Sequence, residues 1–417
     1  MKRCLILLTT GFPFTSAEPY LEAELPVLAA RFTHVFLFAI GLQPGLAPTL
    51  PMPKNVIVCN CASVSRRRGR TTDLLRGLPA AASLDGVCAQ DRREAGASPA
   101  KRAFLGYYLT RVHRHAAEVE ACLADVDFSL YDQVCLYSYW LFAAAGVAAE
   151  LREYLRDRGV GNVRFISRAH SYDLYTYANA LSYLPCRTAL LRAADGVYAC
   201  SEDGAAYLRE RYPDFRDKIH TAYLGTAEGE RTEGSGDGVF RILTCCRTIP
   251  LKRLDRLADV LKTMPPDSRI EWTHIGDGSA LAALRRQCGG GFAGVQVRFL
   301  GALAHAQVLQ YYRQHPVDLF VNLSSREGLP VAVMEAMSFG VPAVVTDVGG
   351  CGEMIRTGYN GYLLPADFTA GALQNTLRHA MRDAASMREN ALRTWRTRFS
   401  AQENYTQFCR VLCGEEA

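Results

Sequence analysis

The chain has 417 residues, of which 49% are apolar and 21% are charged, and its formal net charge at pH 7 is +5. This balance is that of an ordinary globular protein and excludes a disordered or fibrous one, while the charge is too mild to indicate nucleic-acid binding. The length exceeds what one hydrophobic core usually supports, so we expect two domains of about 200 residues each.

The first half of the chain alternates short apolar runs with helical patterns. An apolar run over 4–8 is followed by a helical pattern over 19–31 and by a second apolar run over 35–40. Strand, helix, strand is the order in which a doubly wound sheet begins. Further buried-strand candidates are 56–58, 134–137, 163–166 and 196–200. The pattern predicts an α/β, Rossmann-like domain over residues 1–226.

A basic segment lies within this domain. Between residues 66 and 114 there are eleven Lys and Arg against four Asp and Glu. The stretch 101–120 adds Phe104, Tyr107 and Tyr108, which leaves two interpretations: a helix packed on the first domain, or a helix lying on anionic lipid. We expect packing and keep an anionic membrane surface as a second candidate partner.

The composition changes near residue 226 to Glu, Gly, Ser and Asp, which cannot bury apolar surface and therefore predict a linker up to 238. Apolar runs then recur at 240–246, 270–275, 295–300, 319–322 and 343–346. Each precedes a turn and a helical stretch, so we predict a second Rossmann-like domain over 238–395. Two such domains would face a central cleft at the carboxyl ends of their strands. We expect 396–417 to be a helix that packs back on the first domain.

Cysteine usage and apolar runs bear on the compartment. The 14 cysteines are scattered without a CxxC pair, which predicts free thiols and a reducing compartment. The apolar run at the start is too short for a signal peptide, and no later run reaches about 18 residues. We expect a cytoplasmic protein, at most peripheral to the inner face of the cell membrane.

The segment 324–342, SSREGLPVAVMEAMSFGVP, carries the main chemical evidence. A predicted strand runs into a polar turn with Gly328, and Pro330 suits the first position of a helix. Free backbone amides near Val331 and the positive end of the helix dipole favour an anion such as a diphosphate.

Two carboxylates accompany this turn. Glu327 precedes the helix, and Glu335 lies too far inside it to be a cap. Carboxylates accept hydrogen bonds from the paired hydroxyls of a sugar, so two of them can hold two sugar rings on either side of a diphosphate. The alternative is a dipole-complementing role for Glu327 and a solvated face for Glu335.

Glu327 and Glu335, set in EGLPVAVMEAMSFGVPAVVTDVGG, resemble the paired-glutamate signature of glycosyltransferase family 4, a retaining group with the GT-B fold. The resemblance continues through Gly349, Gly350 and Glu353 and covers the second domain. It implies that Glu327 contacts the donor sugar and Glu335 the ribose of the nucleotide. The donor site would also include Gly328, Leu329, Pro330 and Val331.

Two cations follow the first strand of the second domain. Arg247 and Lys252 suit a leaving diphosphate that no divalent metal neutralises. Their spacing resembles the arginine and lysine pair of the family, although Cys246 stands where glycine is commoner. Gly276, in a Gly-Asp-Gly turn, is either a tight turn or a nucleotide contact. The sequence shows no aspartate cluster of metal-ligand character, so we predict no metal and no cofactor besides the nucleotide-sugar substrate.

Candidate residues of the first domain also follow strands. Gly11 permits close approach of the backbone to a donor ligand. His170 and Asp173, in RAHSYD, resemble the H-x-x-D element of the family, whose histidine lies close to the transferred sugar. Tyr139 and Trp140 either line an acceptor site, together with Asp173, or pack as ordinary aromatic residues.

These features predict a metal-independent, retaining glycosyltransferase of the hexosyltransferase type. It would move a sugar from a nucleotide-sugar donor to a glycan or lipid-linked acceptor, with His170, Glu327, Arg247 and Lys252 in catalysis. The resemblance implies bacterial surface polysaccharide assembly. Two alternatives remain: a GT-B nucleotide-sugar epimerase or phosphorylase, and a non-catalytic nucleotide-sugar-binding partner that has kept the fold.

Overall fold

The computed structural model describes residues 1–15, 18, 20–41, 46–59 and 89–415. The chain divides into two compact units, Met1–Ala222 with Tyr405–Ala417, and Tyr223–Asn404. The predicted linker 226–238 falls inside the second unit, and the predicted terminal segment 396–417 is divided between the two. Of the basic segment 66–114, residues 66–88 lie outside the described residues.

The first unit is built on a seven-stranded parallel sheet. Its strands are β1 Arg3–Thr9, β2 His34–Ala39, β3 Val56–Cys59, β4 Gln133–Ser138, β5 Val163–Ala169, β6 Gly196–Ala199 and β7 Ile219–Thr221. The strand order is β3-β2-β1-β4-β5-β6-β7, which reverses direction between β1 and β4. Ligands of doubly wound sheets bind at such a switch point, beyond the carboxyl ends of the strands.

Helices cover both faces of this sheet. They are α1 Leu21–Arg31, α2 Ala89–Ala95, α3 Pro99–Leu123, α4 Ala143–Asp157, α5 Arg187–Ala193 and α6 Glu202–Arg211. Alternate residues of β1 point to opposite faces, so that Ile6 and Leu8 join one buried cluster and Leu5 and Leu7 another. Burial on both faces explains why the strand is a continuous apolar run.

The stretch 101–120 lies within helix α3, and the burial of its side chains bears on the two interpretations. Its Ser98 cap accepts a hydrogen bond from the backbone amide of Lys101. Leu105, Tyr108 and Val112 are buried in the core of the first unit. The helix therefore packs on the first unit, as expected, and contact of its basic face with an anionic membrane stays a prediction.

The second unit contains a six-stranded parallel sheet. Its strands are β8 Phe240–Cys245, β9 Ile270–Ile275, β10 Val295–Gly301, β11 Leu319–Asn322, β12 Ala343–Thr346 and β13 Gly361–Leu364. Its helices are α7 Leu254–Lys262, α8 Leu281–Cys288, α9 His305–Gln314, α10 Val331–Ser338, α11 Cys351–Met354 and α12 Ala370–Arg398. The order β10-β9-β8-β11-β12-β13 puts the switch point between β8 and β11. A last helix, α13 Ala401–Cys413, ends the described chain and buries Phe408 and Leu412 in the first unit.

The predicted α/β class with two doubly wound sheets is confirmed. Strands β7 and β13 were missed, since each is short and lies at a sheet edge, and β7 contains one apolar residue among three. The described cysteines are all free, as predicted. Among the helices that the structure describes, none is long and apolar enough to cross a bilayer.

The segment 226–238 is attached to the second unit along its length rather than free. The Thr232 amide donates to the Phe339 carbonyl oxygen, and the Ser235 amide to the carboxylate of Asp318. The buried guanidinium of Arg388 donates to the carbonyl oxygens of Thr232, at 2.6 and 3.1 Å, and Val317, at 2.8 Å. The polar composition predicted a linker because such residues cannot form apolar contacts. Hydrogen bonds from the backbone and from Arg388 hold the segment on the second unit instead.

We expect Arg388→Leu to lower the midpoint of thermal unfolding by about 3 to 10 °C, since the carbonyl groups of Thr232 and Val317 lose their donor. Arg393→Leu is the matched control, because Arg393 is an exposed arginine of the same helix. Equal midpoints for the two variants would contradict this account of the segment.

Candidate functional site

Four loops of the second unit meet at one edge of its sheet. They follow β8, β9, β11 and β12, which are neighbours in the parallel sheet. The sequence-predicted donor residues lie on these loops and on the helix that follows β11: Arg247, Lys252, Gly276, Glu327, Gly328, Leu329, Pro330, Val331 and Glu335. The fold therefore brings the predicted donor residues to the switch point of this unit.

An ion pair bridges the two central loops. Lys252 Nζ lies 2.6 Å from Glu327 Oε1, and both side chains are mostly buried, with 18% and 13% of their surface exposed. Asn322 Nδ2 donates to the same carboxylate oxygen at 3.2 Å. An ammonium has three donors, so Lys252 keeps two for a further acceptor, and Glu327 Oε2 has no hydrogen bond to a described residue. Arg247 is exposed on the loop that precedes Lys252.

The turn that carries Glu327 is fixed by its neighbours in the sheet. Gly349 has a φ of +54°, and a Cβ atom there would stand 2.1 Å from the Glu327 carbonyl oxygen. The Gly350 amide donates to the Gly328 carbonyl oxygen at 2.8 Å. The loop after β12 therefore packs directly on the Glu327 turn, which explains why glycine is required at 349.

Arg253 holds the same turn from the other side and was missed from the sequence. Its guanidinium donates to the carbonyl oxygens of Leu323 and Ser324, and it stacks over the Phe368 ring at 4.9 Å. Nothing in its residue type distinguishes it from Lys252 beside it. Only the fold shows that one cation is a structural clamp and the other faces Glu327.

Helix α10 begins at the end of this turn. Gly328, Leu329, Pro330 and Val331 are buried there, and the first amides of the helix have no partner within it. Glu335 lies one turn further, with 12% of its side chain exposed. His305 Nε2 is 2.8 Å from Glu335 Oε1.

The Gly-Asp-Gly turn after β9 packs against the Arg247 loop. A Cβ atom at Gly276, where φ is +145°, would stand 1.9 Å from the Cys246 carbonyl oxygen, and one at Gly278 would stand 2.5 Å from that of Thr248. The Thr248 amide also donates to Asp277 O at 2.8 Å. Backbone packing alone accounts for both glycines, and contact of Gly276 with a nucleotide stays a prediction.

His274, in β9, supports the Arg247 loop and was also missed. Its Nδ1 and Nε2 atoms lie 2.9 and 2.8 Å from the hydroxyl oxygens of Thr244 and Thr248. Burial lowers the pKa of His274 to about 4, so the ring is neutral at physiological pH. Its imidazole joins the end of β8 to the loop. In the sequence, the one available indication of this role was a polar residue inside the run IEWTHI.

The predicted residues of the first unit also gather at its switch point, after β1, β4 and β5. Glu18 organises them: its buried carboxylate accepts hydrogen bonds from the amides of Thr10, Gly11 and Phe12 at 2.6, 2.9 and 2.7 Å. Trp140 Nε1 donates to it at 2.7 Å. Glu18 therefore fixes the Gly11 loop to the loop that follows β4.

His170 follows β5 directly. Its Nε2 atom lies 2.9 Å from the Tyr139 carbonyl oxygen, and its backbone amide donates to Asp173 Oδ1 at 2.9 Å. Burial, aided by the charge of Arg168, lowers the pKa of His170 to about 3. A carbonyl oxygen only accepts, so the neutral ring carries its proton on Nε2 and Nδ1 is an acceptor.

Tyr139 and Asp173 are not placed for the predicted contact with an acceptor, since neither has exposed surface. Tyr139 packs on His170 with ring centroids 4.6 Å apart, so the packing alternative is the one observed. The two carboxylate oxygens of Asp173 accept from the amides of His170 and Leu141, and burial raises its pKa to about 6. Asp173 thus joins two loops.

Trp140 is half-buried and lies between two rings. Its centroid is 4.6 Å from that of His170 and 5.0 Å from that of Tyr172. Tyr172 is 41% exposed. These two aromatic side chains, which we call the Trp140–Tyr172 platform, extend from the switch point to the surface of the first unit.

Metal-ligating side chains do not cluster in the part of the chain that the structure describes: no group of three or more His, Cys, Asp or Glu side chains is arranged to hold an ion. The prediction that no metal takes part remains a prediction.

Comparisons with known proteins bear on both units. Residues 229–394 match the family Glycosyl transferases group 1. Over 156 residues the chain is 33% identical to the O-antigen biosynthesis glycosyltransferase WbnH of Escherichia coli. This aligned region covers 37% of this chain and 41% of that protein. The match thus spans less than half the length of this curated relative.

Two solved structures resemble the chain over nearly its whole length. Sucrose-phosphate synthase from Thermosynechococcus elongatus has a TM-score of 0.71 at 16% identity, covering 100% of this chain and 99% of that one. Anabaena HepE in complex with UDP-glucose has a TM-score of 0.61 at 18% identity, covering 99% and 100%. Identities this low show the fold alone, which is GT-B as predicted. Membership of the narrower glycosyltransferase family 4 stays a prediction.

The neutral state of His170 is directly testable. Unfolded histidine titrates near pH 6.5, so a folded pKa of about 3 means that the stability due to neutral His170 is complete above pH 6.5 and is lost as the pH falls toward 3. In ¹⁵N-histidine-labelled protein at pH 5.5, we expect a neutral ring protonated at Nε2, assigned by its disappearance in His170→Gln. A doubly protonated ring at that pH would contradict the assignment.

Proposed function

We propose that this chain, whose residues 229–394 form a domain of the Glycosyl transferases group 1 family, is a retaining glycosyltransferase of the hexosyltransferase type. It moves a sugar from a nucleotide-sugar donor to a glycan or lipid-linked acceptor without a metal ion. The observation that carries the proposal is the Lys252–Glu327 pair at the switch point of the second unit. It sets a cation for phosphate beside a carboxylate for sugar hydroxyls.

The phosphate side of the proposal rests on three sources of positive charge. Lys252 has two N–H donors beyond the one that meets Glu327, and Arg247 is exposed on the same loop. The start of α10 adds unpaired amides and the positive end of its dipole. Together they can stabilise the negative charge of a departing diphosphate. A divalent ion provides this stabilisation in other transferases.

The sugar side of the proposal rests on the two glutamates. Glu327 Oε2 is available to a hydroxyl of the transferred sugar, and Glu335, one turn into α10, to the ribose. A nucleotide sugar would then run along the start of α10, with its diphosphate at the helix amides between the two carboxylates. Glu327 and Lys252 thus orient the sugar and the leaving group that must separate.

The transfer step follows from these positions. The bond between the anomeric carbon and the diphosphate oxygen breaks, and the diphosphate leaves with the electron pair. The acceptor hydroxyl oxygen bonds to the anomeric carbon from the same face, and its proton passes to the departing phosphate. No protein nucleophile takes part, and the anomeric configuration is retained.

The first unit supplies the acceptor side of the proposal. The neutral imidazole of His170 offers Nδ1 to a sugar hydroxyl, because its Nε2 proton is held by the Tyr139 carbonyl. The Trp140–Tyr172 platform offers aromatic faces on which the apolar face of a pyranose ring can stack. These groups lie at the ends of adjacent strands of one sheet.

The biological setting is proposed from relatives. WbnH is named for O-antigen biosynthesis, and the HepE structure contains UDP-glucose. We therefore propose a uridine or related nucleotide sugar as donor and bacterial surface polysaccharide as product. Nucleotide sugars are cytoplasmic metabolites, so the reaction would take place on the cytoplasmic side, with a lipid-linked acceptor at the inner face of the membrane.

We expect Glu327→Gln and Arg247→Ala each to reduce transfer about 10²- to 10³-fold, because each removes a charge that orients the donor or stabilises its leaving group. A thermal-shift screen of UDP-, GDP-, ADP-, CMP- and dTDP-sugars would first identify the donor, and nucleotide release with added acceptor would then measure turnover. Arg286→Ala, an exposed arginine of α8, should leave turnover unchanged.

Three outcomes would contradict the proposal. Near wild-type turnover in Glu327→Gln or Arg247→Ala would contradict the role proposed for that residue in the transfer step. Isomerisation of the donor sugar without acceptor would favour an epimerase. Failure of the folded wild-type protein to bind any of the nucleotide sugars would favour a non-catalytic protein.

The platform gives a separate prediction for the acceptor. We expect Tyr172→Ala to raise the KM for the acceptor about 3- to 10-fold with little effect on the KM for the donor, since only a stacking surface is lost. Tyr172→Phe should behave like wild type. Tyr177→Ala is the control, because Tyr177 is a 54% exposed tyrosine of the same unit that stacks on Tyr175 instead of Trp140. A donor effect, or an equal effect in Tyr177→Ala, would contradict the acceptor role.

A further inference from the structure

We propose that His305 is a positioning residue for nucleotide binding: its imidazole fixes one oxygen of the Glu335 carboxylate so that the other meets the ribose diol. The inference rests on the proposed function. It adds a residue that the sequence did not single out and says what that residue does for the proposed ribose contact of Glu335.

The contact itself is short and directional. His305 Nε2 lies 2.8 Å from Glu335 Oε1. An ionised carboxylate only accepts hydrogen bonds, so Nε2 carries the proton. Among the described residues, His305 is the one hydrogen-bond donor that reaches this carboxylate, and Glu335 Oε2 remains available. The glutamate is mostly buried while the histidine is 44% exposed, so the pair reaches the surface through the imidazole.

The backbone holds His305 firmly in place. His305 is the first residue of α9, and the Ala304 amide before it donates to Gln307 Oε1 at 2.9 Å. The Gln307 and Val308 amides donate back to the Ala304 carbonyl oxygen at 2.9 and 3.1 Å. The start of the helix is therefore fixed on both sides, and the imidazole is carried on a rigid support.

Glu335 needs such a partner because its side chain has three rotatable bonds. Helix α10 fixes its Cα atom through buried neighbours such as Val333, Met334 and Ala336, but not the orientation of the carboxylate. Ordering a free side chain on binding reduces affinity, and a preformed hydrogen bond avoids that loss. With Oε1 held, Oε2 is oriented before a ligand arrives and can accept from a ribose hydroxyl.

The test measures how well the protein distinguishes a ribose from a deoxyribose. UDP, GDP and ADP are titrated calorimetrically into the wild-type protein, followed by the 2′,3′-dideoxy form of the nucleotide that binds most tightly. We expect the dideoxy form to bind at least about 10-fold more weakly, since a hydrogen bond to a charged group is lost.

His305→Phe keeps a ring but loses the donor. We expect it to weaken ribonucleotide binding about 3- to 10-fold and to reduce the discrimination between the two nucleotides, whereas His305→Asn, which keeps a donor, should restore much of both. His315→Phe is the matched control, because His315 follows the end of the same helix and stacks on Tyr311. It should bind like wild type.

The outcomes separate this inference from the proposed function. Unchanged affinity and discrimination in His305→Phe would overturn the role of His305 while leaving the glycosyltransferase proposal intact. Equal binding of the ribose and dideoxy nucleotides by the wild-type protein would overturn the ribose contact of Glu335, and the inference with it. Binding of none of the three nucleotides would overturn this inference, whereas the glycosyltransferase proposal is overturned only if the protein binds none of the five nucleotide sugars of the screen.

Discussion

The ion pair between Lys252 and Glu327 is the interaction on which the second unit is organised. A mostly buried pair is tolerated only where hydrogen bonds compensate both charges, because leaving water costs each ion several kcal/mol. Asn322 supplies one such bond to Glu327, while two N–H donors of Lys252 and Glu327 Oε2 have no hydrogen bond to a described residue. A phosphate and a sugar hydroxyl would satisfy those groups, so the incomplete compensation of the pair is itself an argument for a ligand.

Holding that pair in place requires the strand order of a doubly wound sheet. Lys252 comes after β8 and Glu327 after β11, strands that are far apart in sequence but adjacent in the sheet. The clamp by Arg253 and the close approach at Gly349 then fix the Glu327 turn from its two sides. The geometry of the site is thus a property of the sheet edge, and no single loop could produce it alone.

The sequence predicted what depends on local pattern. Buried parallel strands are often continuous apolar runs, so β1 and β11 could be placed almost to the residue, and the helix start near Val331 followed from Gly328 and Pro330. The short edge strand β7 gives no such run. The pattern also showed which strand ends carry charged residues, since that requires only their position after a run.

The sequence could not show which hydrogen-bonding partner each of these polar side chains would have in the folded protein. The Glu18 carboxylate, for example, accepts hydrogen bonds from three backbone amides and from Trp140. Both carboxylate oxygens of Asp173 likewise accept hydrogen bonds from backbone amides. These partners come from separate loops, so their identity depends on the tertiary fold, and residue type alone leaves direct contact and support indistinguishable.

Buried neutral histidines play the same supporting role in both units. His274 contacts the hydroxyl groups of Thr244, in β8, and of Thr248, on the loop that follows β8, and His170 donates to the Tyr139 carbonyl oxygen at the end of the neighbouring strand. Burial lowers the pKa of each ring, and near His170 the charge of Arg168 adds to the effect. Arg168 is itself buried, 3.9 Å from Glu24 and over the Phe408 ring, and cannot readily lose its charge. Burial and the fixed charge of Arg168 thus keep the His170 ring neutral, so that Nδ1 stays an acceptor while Nε2 holds the Tyr139 carbonyl oxygen.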